Sequence, residues 1–97
     1  MASATKLACG LTFTTKMRGF GLVTGCLLKK MESGWVVHFD GEDRKTYSLA
    51  KVQTWVTTAT ECFMNDRVVG EREELEKIGE ELEVGRVPQS YSVTVRP

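Results

Sequence analysis

Residues 16–28 read Lys-Met-Arg-Gly-Phe-Gly-Leu-Val-Thr-Gly-Cys-Leu-Leu, and residues 34–43 read Gly-Trp-Val-Val-His-Phe-Asp-Gly-Glu-Asp. The three glycines of the first stretch permit turn or bulge geometry that residues with a Cβ avoid. The Asp-Gly pair of the second stretch is turn chemistry between apolar runs. Together they predict three short antiparallel strands in a small, strongly bent sheet. Such sheets commonly carry recognition loops at one rim, which favours binding over catalysis.

Alternating apolar and polar residues predict five strands, over residues 7–15, 22–31, 35–40, 44–49 and 52–57. In the third of these, Trp35, Val37 and Phe39 share one face, so we expect them in the core, with Val36 and His38 more exposed. Five short strands at this spacing predict a mainly β chain that closes into a small barrel.

The C-terminal part of the chain has a different pattern. Residues 70–84 carry Leu75, Ile78 and Leu82 at helical spacing, which predicts an amphipathic helix that docks on the barrel through one apolar stripe. Alternation over residues 90–96 predicts a sixth strand, which could join a barrel edge or pair with another chain, so homo-oligomerisation stays open.

Length and charge limit the function classes. The chain has 97 residues, which suits one domain made of a barrel (7–57), a helix (70–84) and a strand (90–96). Its formal net charge is zero, which removes the simplest argument for nucleic acid as a partner. Residues 1–60 nevertheless have a net charge of +4 and residues 61–97 one of −4.

The cysteines and the apolar segments bear on the compartment. Cys9, Cys26 and Cys62 cannot all pair with one another, and no secretory segment precedes them, so we expect a reduced intracellular chain, nuclear or cytoplasmic. No segment approaches the roughly 20 apolar residues that cross a bilayer, so we expect no membrane association.

With these motifs in view, residues 16–27 resemble the opening hairpin of Tudor-like domains, where a Lys and a Gly-aromatic-Gly turn precede a strand that carries a further Gly. Residues 37–43, Val-His-Phe-Asp-Gly-Glu-Asp, are similar to the third strand and acidic turn of Tudor and malignant-brain-tumour repeats. The resemblance covers about residues 13–57. It implies a five-stranded SH3-like barrel and a chromatin-associated module that recognises a protein partner, with a basic or methylated peptide tail as the candidate ligand.

Tudor-like domains hold methylated cations in a cage of aromatic rings beside a carboxylate. Here Val23 and Glu42 stand at positions where the family often has cage aromatics, so the cage is incomplete. The rings available are those of Phe20, Phe39, Tyr47 and Trp55. The resemblance therefore implies a ligand site at the barrel rim, made of Phe20, Phe39, Asp40, Glu42, Asp43 and Tyr47.

Other chemistries have weaker support in the sequence. His38 is the only histidine and no cysteines have metal-ligand spacing, so we expect no metal, no cofactor and no enzymatic activity. The alternative function is a nucleic-acid-binding barrel with a basic face on phosphates. The residues of that face would be Arg18, Lys29, Lys30, Arg44 and Lys45.

Overall fold

Eight strands and two helices follow one another along residues 4–8, 10–65, 67–88 and 91–95, the part of the chain that the computed structural model describes. The strands are β1 (Ala4–Ala8), β2 (Leu11–Met17), β3 (Gly21–Met31), β4 (Gly34–Phe39), β5 (Lys45–Ser48), β6 (Glu61–Met64), β7 (Arg67–Val68) and β8 (Tyr91–Val95). The helices are α1 (Leu49–Thr57) and α2 (Arg72–Val84).

Six of the strands form one antiparallel sheet in the order β5-β4-β3-β2-β6-β7. Within the described residues β5 and β7 lie at opposite edges and each pairs with one neighbour, so the sheet is open. The expectation of a mainly β chain is confirmed, whereas closure into a barrel is not seen.

The predicted fifth strand over residues 52–57 is wrong, because these residues belong to α1. The Ser48 hydroxyl accepts a hydrogen bond from the Lys51 N–H (3.3 Å) and caps the helix. Val52 and Val56 are fully buried on one face. A spacing of four residues fits both a strand face and a helix face, so alternation alone could not separate the two.

The strand that returns to β2 is β6 instead, with Phe13 opposite Cys62 in the register. The predicted first strand over residues 7–15 is divided between β1 and β2. β1 pairs with β8 in a separate two-stranded antiparallel sheet, so the C-terminal strand is present over Tyr91–Val95 and its partner is within the chain. Ser90 and Arg96, the two ends of the predicted strand, lie outside the described residues.

A β-bulge interrupts the pairing of β3 with β4 and bends β3 locally. Leu27 pairs with Val37 and Lys29 pairs with Val36, which leaves Leu28 as the extra residue. Trp35, Val37 and Phe39 are buried while Val36 and His38 are half-buried, so the prediction for this strand is confirmed.

The two helices pack against each other, and α1 also contacts β2, β4 and β5. Leu75, Ile78 and Leu82 are buried in the same core as β2 to β4, which confirms that the apolar stripe of α2 docks within the chain. The Trp35 indole N–H donates to the Leu82 carbonyl (3.0 Å), and the Gln53 side-chain amide donates to the Gly79 carbonyl (2.9 Å). These bonds fix α2 to both β4 and α1.

The cysteines differ from the expectation of a reduced chain. Cys26 is disulfide-bonded, so that expectation is wrong at this position. Cys62 is a free, buried thiol, and Cys9 lies outside the described residues. Disulfides persist mainly in oxidising compartments. The nuclear or cytoplasmic location that the sequence predicts is not tested by the structure and stays a prediction. Among the described residues, no helix is long and apolar enough to cross a membrane.

Candidate functional site

A pocket of about 410 Å³ lies where the β2–β3 turn, β4, β5 and α1 meet, and we call it the aromatic pocket. Four of its side chains carry aromatic rings and four carry formal charges. Its lining residues are Met17, Phe20, Val23, Phe39, Asp40, Glu42, Lys45, Tyr47, Lys51 and Trp55.

Three rings form the floor and one side of the aromatic pocket. The Tyr47 and Trp55 rings have centroids 5.0 Å apart and planes at 72°. The Phe39 ring lies 5.7 Å from Tyr47 and 5.3 Å from Trp55, edge-on to both. Edge-to-face packing at these distances is favourable for aromatic side chains, so the three rings support one another.

A glycine and a neighbouring phenylalanine explain why the rings can gather there. A Cβ at Gly25 would lie 2.8 Å from the Phe13 ring and 2.8 Å from the Phe39 ring, so only glycine leaves room for both above β3. Phe13 packs edge-on to Phe39 (5.9 Å) and nearly parallel to Trp55 (6.3 Å, 20°). The pocket floor is therefore continuous with the hydrophobic core.

Phe20 forms the outer rim of the aromatic pocket. It lies in the β2–β3 turn between two glycines with positive φ, Gly19 (87°) and Gly21 (75°), and its N–H donates to the Met17 carbonyl (3.1 Å). The side chain is 74 % exposed. The Phe20 ring is therefore accessible from solvent at the mouth of the aromatic pocket.

Charges of both signs line the aromatic pocket. Asp40 and Glu42 come from the β4–β5 turn, Lys45 from β5 and Lys51 from α1. The Asp40 N–H donates to the Thr24 carbonyl (3.1 Å) and the Glu42 N–H to the Phe39 carbonyl (3.1 Å), so the acidic turn is held by its backbone. All four charged side chains are on exposed residues, where water and salt weaken their interactions.

The structure brings five of the six predicted site residues to the aromatic pocket, namely Phe20, Phe39, Asp40, Glu42 and Tyr47. The sixth, Asp43, is exposed and lies outside the lining. Phe39 is only 4 % exposed, so its ring belongs to the core as much as to the pocket floor. That these residues bind a ligand stays a prediction.

Sequence reasoning did not place two pocket residues that α1 contributes. Lys51 and Trp55 are four residues apart and share a face of α1, whereas a strand would have placed Trp55 opposite Val52 and Val56. Ser48 is one local signal, because it is a good N-cap for a helix that begins at residue 49, but an N-cap residue does not by itself exclude a strand. Val23, which stands at a cage position of the resembled family, lines the wall as an aliphatic residue.

The basic residues of the alternative function are spread over the sheet. Arg18 lies in the turn before β3, whereas Lys29 and Lys30 lie near its far end. Residues 21–28 of β3 lie between them, a span of up to roughly 26 Å along the strand. Lys45 instead lines the aromatic pocket. The five residues therefore do not make one compact basic patch.

A second cavity, of about 490 Å³, lies beside α2 and is lined mainly by charged residues. Arg67 and Glu74 form an ion pair there (2.6 Å), and hydrogen bonding to Glu74 raises the pKa of Arg67.

Burial, and secondarily the charge of Glu74, raises the pKa of the Cys62 thiol to about 11. Across the described residues, no group of three His, Cys, Asp or Glu side chains could hold a metal ion.

The chain matches no family model, no curated protein and no solved structure.

Proposed function

We propose that the protein is a small Tudor-like binding module that captures a protein partner by placing a cationic side chain of that partner in the aromatic pocket. The observation that carries the proposal is the group of three rings, Phe39, Tyr47 and Trp55, within 5.0–5.7 Å of one another beside the carboxylates of Asp40 and Glu42. Ring faces and carboxylates attract the same ligand chemistry, an ammonium or guanidinium group.

The connectivity of the sheet supports the Tudor-like part of the proposal. Strands β2 to β5 form a meander, α1 follows, and β6 returns beside β2. Such an arrangement is compatible with an SH3-like barrel that is left open, because the edge strands β5 and β7 do not pair with each other within the described residues. The acidic turn and the Gly-Phe-Gly turn, which carry the sequence resemblance, both border the aromatic pocket.

The expected binding is weak and sensitive to salt, because the charges that line the pocket are exposed. Val23 and Glu42 stand where additional rings would enclose a methylated cation, so we expect little gain from methyl groups. A basic peptide is the proposed ligand class, and a trimethylated peptide should bind less than about tenfold better than its unmodified form, a difference of about 1.4 kcal/mol.

Calorimetry and chemical-shift titration at low salt test the proposal with a short peptide of alternating glycine and lysine. The same peptide with acetylated lysines is the matched control ligand, because acetylation removes the charge and keeps the length. We expect shifts at Tyr47 and Trp55 with the basic peptide only. A short DNA duplex in a parallel titration tests the nucleic-acid alternative.

Two variants connect the binding to the pocket. Phe20→Ala and Asp40→Asn should each weaken binding about two- to fivefold, since an exposed ring or charge contributes roughly 0.5–1 kcal/mol. Leu22→Ala is the matched control, because Leu22 is 64 % exposed near Phe20 and does not line the pocket. Failure of the basic peptide to bind, or equal binding of the acetylated peptide, would contradict the proposal.

A further inference from the structure

The Lys51 ammonium already lies over the ring that a ligand cation would use. Its Nζ is 6.0 Å from the centroid of the Trp55 ring. Both residues belong to α1 at positions four apart, and both line the aromatic pocket. A cation within about 6 Å of an aromatic face is attracted by the ring quadrupole.

The surroundings of Trp55 leave little ring surface for a second cation. Phe13, Phe39 and Tyr47 lie 5.0–6.3 Å from it, and the Lys51 ammonium approaches as part of the pocket lining. A ligand cation that stacks on Trp55 must therefore displace Lys51 or share the space with a like charge.

The formal charge of the pocket lining also depends on Lys51. Its lining contains the carboxylates of Asp40 and Glu42 and the ammonium groups of Lys45 and Lys51, so its formal charge is zero. Without Lys51 the lining would carry a net negative charge, which favours a cationic ligand.

From these contacts we infer that Lys51 is a built-in competitor that lowers the affinity of the aromatic pocket for cationic ligands. The inference rests on the proposed function and deepens it, because it makes Lys51 a determinant of how strongly a partner's cation must bind. A partner succeeds when its cation displaces Lys51 and makes further contacts at the rim.

Lys51→Met tests the inference, because methionine keeps an unbranched apolar chain and removes the charge. We expect the alternating glycine–lysine peptide to bind this variant about two- to fivefold more tightly than the wild type, the range for loss of an exposed cation–π competitor. Lys51→Arg should bind no more tightly than the wild type, since a guanidinium also stacks on aromatic rings.

Lys29→Met is the matched control, because Lys29 is exposed on β3, carries the same charge and lies outside the pocket lining. It should leave the affinity within about 1.5-fold of the wild type if the effect is local. A readout without ligand is the indole N–H resonance of Trp55, which should move in Lys51→Met and stay in Lys29→Met.

The outcomes separate the two hypotheses. Wild-type binding with no gain in Lys51→Met, or an equal gain in Lys29→Met, overturns the role of Lys51 and leaves the proposed function standing. Binding by Lys51→Met but not by the wild type supports the role of Lys51 and contradicts the proposed function, because the wild-type pocket then captures no cation. Absence of binding by the wild type and by Lys51→Met overturns both.

Discussion

Substitution of Gly79 by alanine sets helix propensity against the packing of α1 on α2. Gly79 is buried on α2, and a Cβ there would lie 2.7 Å from Cγ2 of Thr57, where ordinary contact begins at 3.4 Å. Alanine gains about 1 kcal/mol over glycine inside a helix. Overpacking a close contact costs about 1–3 kcal/mol.

Thr57 cannot move aside without loss. Its hydroxyl donates to the Gln53 carbonyl (2.8 Å), a bond worth about 1 kcal/mol. The Gln53 side-chain amide in turn donates to the Gly79 carbonyl, so separating the helices would stretch that bond too. We therefore expect Gly79→Ala to lower the free energy of unfolding by about 1 kcal/mol, although its helix propensity is higher.

The effect of Gly79→Ala on the free energy of unfolding should change sign when the clashing methyl group of Thr57 is absent. Thr57→Ser removes Cγ2 and keeps the hydroxyl, so in that background Gly79→Ala should raise the free energy of unfolding by up to about 1 kcal/mol. Urea unfolding of the four proteins, followed by circular dichroism, gives a coupling energy that we expect near 2 kcal/mol. If Gly79→Ala stabilises both backgrounds equally, the close approach of the helices at Gly79 is wrong.

Two further expectations concern the core. Phe39→Ala should lower the free energy of unfolding by about 3–5 kcal/mol, because it removes a buried ring that three other rings contact. Val36→Ala, on the half-buried face of the same strand, should lower it much less. An unchanged melting temperature for Phe39→Ala would refute the burial of Phe39 in the core. Cys62 should destabilise the protein at high pH, because the folded thiol holds its proton up to about pH 11 whereas the unfolded thiol loses it near pH 9.0. Stability measured for the wild type relative to Cys62→Ala should therefore fall between these pH values, and a constant difference would contradict the raised pKa of Cys62.

Much of the candidate site follows from local sequence. Phe20 lies between two glycines, and Asp40 and Glu42 flank the glycine of a turn, so their positions at the ends of strands needed no tertiary information. Trp55 was recognisable as an available ring, but its place in the pocket depends on α1. A strand over residues 52–57, which alternation predicts, does not place Lys51 in the pocket; the helix does.

The sequence by itself determined β3, β4, β5 and α2, because each has one dominant periodicity and strong turn or end signals. Only the tertiary structure decided between helix and strand for residues 49–57. Val52 and Val56 fit both patterns, and burial of their shared face with α2 docked alongside favours the helix. That choice leaves β6 to pair with β2 and brings Trp55 and Lys51 to the aromatic pocket, since long-range packing outweighs local propensity where two periodicities coincide.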